Sequence, residues 1–117
     1  MLTTPVLLSG STSGRPILVV ATATAGTLIH TAVTGTTSFD EVSLWCQNTD
    51  ATDHELTLEL GGVTSPNDLI KQTITAESGL TLVLDAHRMN GGVVIRAFVV
   101  GSANLLTIIG DVNRMTP

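Results

Sequence analysis

Apolar side chains recur at every second position through much of this chain, and no stretch keeps a three-and-four spacing for more than about two turns. Successive side chains of an extended strand point to opposite faces, so this period commits the chain to strands rather than helices. In "DEVSLWCQN" Val42, Leu44 and Cys46 share one face, with Glu41, Ser43, Trp45 and Gln47 on the other. "HELTLELG" sets Leu56, Leu58 and Leu60 against Glu55, Thr57 and Glu59, and "GLTLVLDA" aligns Leu80, Leu82 and Leu84. "GVVIRAFVV" is apolar on both faces apart from Arg96 and reads as a central strand. "NLLTIIGDV" is similar, and its Gly110 marks a bulge or a close approach. "RPILVVAT", "GTLIHTAVT" and "LIKQTITA" supply further strands.

Turn chemistry separates the runs: "NTDAT", "GGVTSPN", "AESG", "HRMNGG" and "GSAN". The six residues "TDATDH" read as the loop of a hairpin, and Asn90-Gly91 is the strongest local hairpin signal. About eight short strands spaced by about ten residues predict an all-β, antiparallel β-sandwich, jelly-roll-like, or else a closed barrel. Residues 26–117 would form that sandwich. Residues 1–25 are small and polar, as in "MLTTPVLLSGSTSG" and "ATATAG", and read either as an N-terminal arm ordered against a neighbour or as an edge segment.

With 117 residues the chain is one domain, and folded it should expose roughly 6,000 Å². Only 13% of its residues are charged, so much of that surface must be Thr, Ser, Asn, Gly and aliphatic groups. Such a surface suits a subunit that buries part of itself against copies or partners. A net charge of −5, with Arg15, Lys71, Arg88, Arg96 and Arg114 scattered, opposes a nucleic-acid role. The chain has no Tyr, and only Phe39, Trp45 and Phe98 are aromatic, which discourages base and sugar stacking. Lone Cys46 gives no internal disulfide and no zinc pattern. The opening lacks a secretory signal, and no segment approaches the ~18 apolar residues of a membrane span, so a soluble product of the cytosol is expected.

Several groups invite a chemical reading. Asp50, Asp53, His54 and Glu55 are clustered, but the alternating ligands and sharp-turn Gly of a calcium loop are absent, and a hairpin bend explains them. "GSTSG" departs from the nucleophile-elbow pattern and lacks its strand-then-helix setting. His30, His54 and His87 fall on separate strands or their ends, and His30 reads as a hydrogen-bonded core or interface imidazole. Cys46, with no basic neighbour in sequence, reads as a small buried hydrophobe. The two glycines of "NGGVV" precede a strand rather than the helix that a phosphate cradle needs. Trp45, on the polar-facing side of its strand, reads as an interface anchor ahead of a second-core residue. No catalytic residue, metal ligand or cofactor site is predicted.

Taken in order, "GTLIHTAVTGTTSFDEVSLWCQNTDATDHELTLELGG", "DLIKQTI" and "GLTLVLDAHRMNGGVVIRAFVVGSANLLTIIGDVNR" resemble small all-β virion proteins of tailed bacteriophages, most of all capsid decoration or cement proteins. The resemblance covers roughly Gly26 to Arg114 and rests on the pattern of strands and turns. It implies a non-enzymatic homo-oligomer, with a trimer favoured, on the outer capsid surface over junctions of the major capsid protein. It implies synthesis in the host bacterial cytoplasm, no direct nucleic-acid or membrane contact, and no active-site residues to carry over. Candidate contact residues are Leu2, Val6, Leu7, Leu8, Trp45, Arg88 and Met89. Removal of the first fourteen residues is expected to weaken capsid binding while leaving the sandwich folded. A tail or head–tail connection subunit is the alternative within the virion. A cupin-like or lectin-like ligand module is the alternative outside it.

Overall fold

Each alternating run becomes a strand. The computed structural model describes residues 1–117 and contains β1 (Leu2–Val6), β2 (Ile17–Leu18), β3 (Thr27–Thr31), β4 (Phe39–Asn48), β5 (His54–Leu60), β6 (Leu69–Ile74), β7 (Leu80–Met89), β8 (Val94–Val99) and β9 (Leu106–Thr116), with no helix. They form two antiparallel sheets, one in the order β1-β9-β4-β7 with β2 also paired to β9, the other in the order β3-β8-β5-β6. The two layers enclose a single core in which Ile29, Val42, Leu44, Leu56, Leu58, Ile74, Ile95, Leu106 and Ile108 are fully buried. This is an antiparallel β-sandwich, not a closed barrel. Its exposed surface is 6046 Å², in line with the roughly 6,000 Å² expected for the mass.

The pairing is nested: β5 lies on β6, β4 on β7, β3 on β8, and β1 and β2 on β9. The chain is therefore doubled back at β5–β6 and rolled into two layers, a jelly-roll-like winding. One consequence corrects the turn reading. Neither "TDATDH" nor Asn90-Gly91 closes a hairpin, because β4 and β5 lie in different sheets, as do β7 and β8. Turn residues dictate a local reversal. Which strand is then paired depends on burial of both layers, and β4 satisfies its two edges with β7 and β9.

Strand β4 alternates between half-buried and buried along its whole length, as its sequence pattern requires. Strands β8 and β9 are interior to their sheets. Strand β7 departs from its pattern. Leu44 pairs with Leu84 and Trp45 with Leu82, so Val83 is an extra residue in the ladder. A bulge of one residue reverses the facing of the residues beyond it. Leu84 and Val83 are buried, whereas Leu80 and Leu82 face outward and are 53% and 44% exposed.

Residues 1–25 adopt the edge-segment form. β1 runs along β9 from Leu2 opposite Thr116 to Val6 opposite Val112. Beyond it Leu8, Ile17 and Val19 enter the core. Loss of the first fourteen residues would therefore remove a core side chain, Leu8, so that truncation should destabilise the sandwich as well as shorten its edge. Removal of Met1–Val6 spares Leu8.

Candidate functional site

The geometry of the buried polar groups decides what chemistry is left for the surface. Asp40, at the start of β4, is fully buried between β3 and β9. Arg114 reaches it from β9, donating from Nε to Oδ1 at 2.7 Å and from Nη2 to Oδ2 at 3.0 Å. The backbone amide of Val33 donates to Oδ2 at 3.1 Å, and His30 Nε2 lies 2.8 Å from the same oxygen. The other ring nitrogen of His30, Nδ1, accepts the amide of Ser9 at 3.0 Å. An acceptor at Nδ1 carries no proton, so His30 is the neutral Nε2–H tautomer donating to Asp40. Its ring is 1% exposed, and both nitrogens are engaged. It is a hydrogen-bonded core imidazole.

Burial pushes the Asp40 carboxyl up, but the hydrogen bonds from Arg114 and His30 and the adjacent guanidinium charge outweigh it and hold the group below the ordinary carboxylate value. A depressed carboxyl contributes stability that is complete above the unfolded value of about 3.9 and is lost as pH falls through the folded value. The urea midpoint is therefore expected to drop below about pH 4. The Asp40→Asn variant should show a shallower drop over that window; an equally steep one would assign acid unfolding to other carboxyls.

The acidic stretch of the β4–β5 connection does not converge. Asp50 Oδ2 accepts from His54 Nε2 at 2.7 Å and from Thr52 Oγ1 at 3.0 Å, and these bonds, with the Ala51 amide, hold its carboxyl below the usual range. Asp53 turns away to accept the Ala76 amide at 2.8 Å, and Glu55 is exposed on β5. Asn48, fully buried, donates to the carbonyls of Thr52 and Ile74. The cluster fastens a crossing between sheets. No three His, Cys, Asp or Glu side chains come together in a ligand-holding arrangement anywhere in the chain.

On the second sheet, Glu59 and Arg96 are cross-strand neighbours that clamp one residue, Gly26, by its amide and its carbonyl. Glu59 Oε1 accepts the Gly26 amide at 2.6 Å, and Arg96 Nη1 donates to the Gly26 carbonyl at 3.4 Å. A Cβ at Gly26 would lie 2.5 Å from the Ala97 carbonyl oxygen, so only glycine fits there. Glu59 Oε2 and Thr57 Oγ1 are buried without partners. Cys46 is buried, and burial, only partly offset by the Gln47 amide, pushes its thiol up to about 12. A thiol so raised is not a nucleophile at neutral pH.

What remains is an apolar face. On the outer side of the first sheet Ile109, Trp45 and Leu82 are lateral neighbours on β9, β4 and β7. The adjacent row is Leu18, Thr107, Gln47 and Leu80. Leu18, Leu80 and Leu82 are exposed, and Trp45 and Ile109 are half-buried. At the usual strand spacing the two rows span on the order of 300 Å². No charged side chain occupies either row.

Of the sequence-predicted contact residues, Trp45 and Arg88 share this face; Arg88 sits 5.2 Å from the Phe39 ring centroid and 3.4 Å from Glu41. Leu2 and Leu7 are exposed on the edge segment, and Val6 is half-buried against the core. Leu8 and Met89 are corrected to core residues, 4% and 8% exposed, since the sandwich itself covers them. Sequence reasoning missed Leu18, Leu80, Leu82 and Ile109. The available signs were the unbroken Leu82-Val83-Leu84 and the adjacent Ile108-Ile109, where strict alternation fails.

No helix is long and apolar enough to cross a membrane. No family model, curated protein or solved structure matches the chain.

Proposed function

We propose that this protein is a non-enzymatic virion subunit of a tailed bacteriophage, a decoration or cement protein that stabilises the head by adhering over junctions of the major capsid protein. The observation that carries the reading is the uncharged patch of the outer face built around Trp45, Leu80 and Leu82. Beside it Glu41 is paired with Arg88, and Ser43 Oγ accepts the Ala86 amide. The resemblance of residues 26–114 to phage virion proteins supports the same reading, and so does the wound sandwich.

The mechanism is adhesion. A patch of about 300 Å² is below the roughly 800 Å² per partner of a stable pairwise interface, so one copy holds weakly. A homotrimer presents the face three times to a shell whose subunits repeat, and linked contacts raise occupancy far above that of one site. Contacts added across subunit junctions then oppose the outward pressure of packaged DNA.

The test is co-sedimentation of the purified protein with expanded and unexpanded phage heads. Saturable binding to expanded heads is expected, and the Leu80→Asp/Leu82→Asp double variant should lose at least about tenfold in occupancy while keeping its circular dichroism and melting point. Unchanged occupancy of a folded variant would remove this face from the reading. A sedimentation mass of three chains fits a decoration trimer; six would turn the reading toward a tail or head–tail ring.

A further inference from the structure

The segment from Leu7 to Pro16 leaves the edge of the first sheet, crosses the end of the sandwich and is bolted to β3 of the second. Leu8 is its apolar anchor. Its polar anchors are the Ser9 amide on His30 Nδ1 at 3.0 Å, the Thr31 amide on Ser9 Oγ at 2.6 Å and the Gly10 amide on the Ile29 carbonyl at 2.9 Å. A Cβ at Gly10 would strike the Leu28 carbonyl oxygen, which shows how closely the strap lies on β3. Among these anchors only the bond to His30 depends on a proton.

We infer that Leu7–Pro16 is an acid-released strap, held shut by the neutral form of His30. In the closed state the imidazole is saturated: Nε2–H donates to Asp40 and Nδ1 accepts from Ser9. A second proton can go only to Nδ1, where it would face the Ser9 amide proton across 3.0 Å. Two donors cannot share that gap, and the part-buried Ser9 amide would lose its acceptor. The groups facing the ring decide whether its surroundings could instead absorb the charge. Asp40 on β4 attracts an imidazolium, but Arg114 on β9 already neutralises that carboxylate through both oxygens. From β8 the residue opposite His30 is Ile95, which offers nothing. The strap's one charged residue, Arg15, is exposed and of the wrong sign. Proton uptake therefore accompanies opening, which frees the edge of β3 and uncovers the flank of the Trp45 face, where Gly14 shares a surface hollow with Trp45 and Ile109.

The chain carries its own reporter, since Trp45 is its only tryptophan. Amide exchange at Ser9 and Gly10 and Trp45 emission are to be followed from about pH 7.5 to 5, above the range in which Asp40 is lost. With one proton taken up per opening, the strap's opening constant should rise by up to about tenfold per pH unit as the pH falls across this range. Trp45 emission should shift in step, while amides of β4 and β9 stay protected. His54→Gln and His87→Gln should leave this slope intact, and His30→Gln should abolish it. Independent of any variant, ¹⁵N spectra of the His30 ring at neutral pH should show the Nε2–H tautomer. A flat opening constant, or an Nδ1-protonated ring with the strap still closed, would overturn the inference.

Discussion

The Asp40→Ala variant is expected to lose about 3 kcal/mol of stability, at the lower end of the range for breaking a buried ion pair. The carboxylate is fully buried and takes hydrogen bonds from Arg114, His30 and the Val33 amide. Alanine removes all of them at once, leaving the buried His30 Nε2–H and the part-buried Val33 amide with no acceptor. The lower end applies because Arg114 is about a third exposed and can turn its charge to water. Against a typical total of about 5–15 kcal/mol, such a loss is large. It should appear as a lower urea midpoint with an unchanged slope. Asp40→Asn keeps one acceptor oxygen and should fall between wild type and alanine; equal midpoints for all three proteins would show that the cluster contributes nothing net.

Gly110→Ala should cost about 3 kcal/mol for a different reason. Gly110 lies opposite Leu44 in the central β9–β4 pair, and a Cβ there would strike the Ser43 carbonyl oxygen and come within 2.8 Å of Leu44 Cδ2. The obstacle is backbone in the middle of a sheet, held by strands on both sides, so it cannot swing away as a side chain would. Gly79→Ala is the control. It has open space around it and only a left-handed φ of 74° to accommodate, so about 1 kcal/mol is expected. A thermal shift for Gly110→Ala no larger than that for Gly79→Ala would mean the strands part easily at this point.

The Gly110 case marks how far one sequence reaches. A glycine inside an otherwise continuous apolar run signalled close approach, but nothing in the run named Ser43 as the group approached. The same division holds for the candidate site. Trp45 stood out as the lone large aromatic on a polar-facing register, and the structure does place it on the outer sheet face. Strict alternation puts its companions Leu80 and Leu82 on the face of Leu84, and the bulge at Val83 separates them. A bulge is set by the pairing partner as much as by the strand, so period alone cannot place it. The Asp40–Arg114 pair was silent in sequence because 74 residues separate its members.

Taken by itself, the sequence determined that the chain is built of strands, which side of β4 turns inward, and that few charges are available to cover the surface. Each of these comes from local chemistry: side-chain alternation, turn residues and composition. The tertiary structure alone decided which turns cross between layers, that the first residues complete the sandwich, and which scattered polar groups meet in its interior. Those outcomes depend on two sheets burying each other's inner faces, a condition that no short window of residues contains.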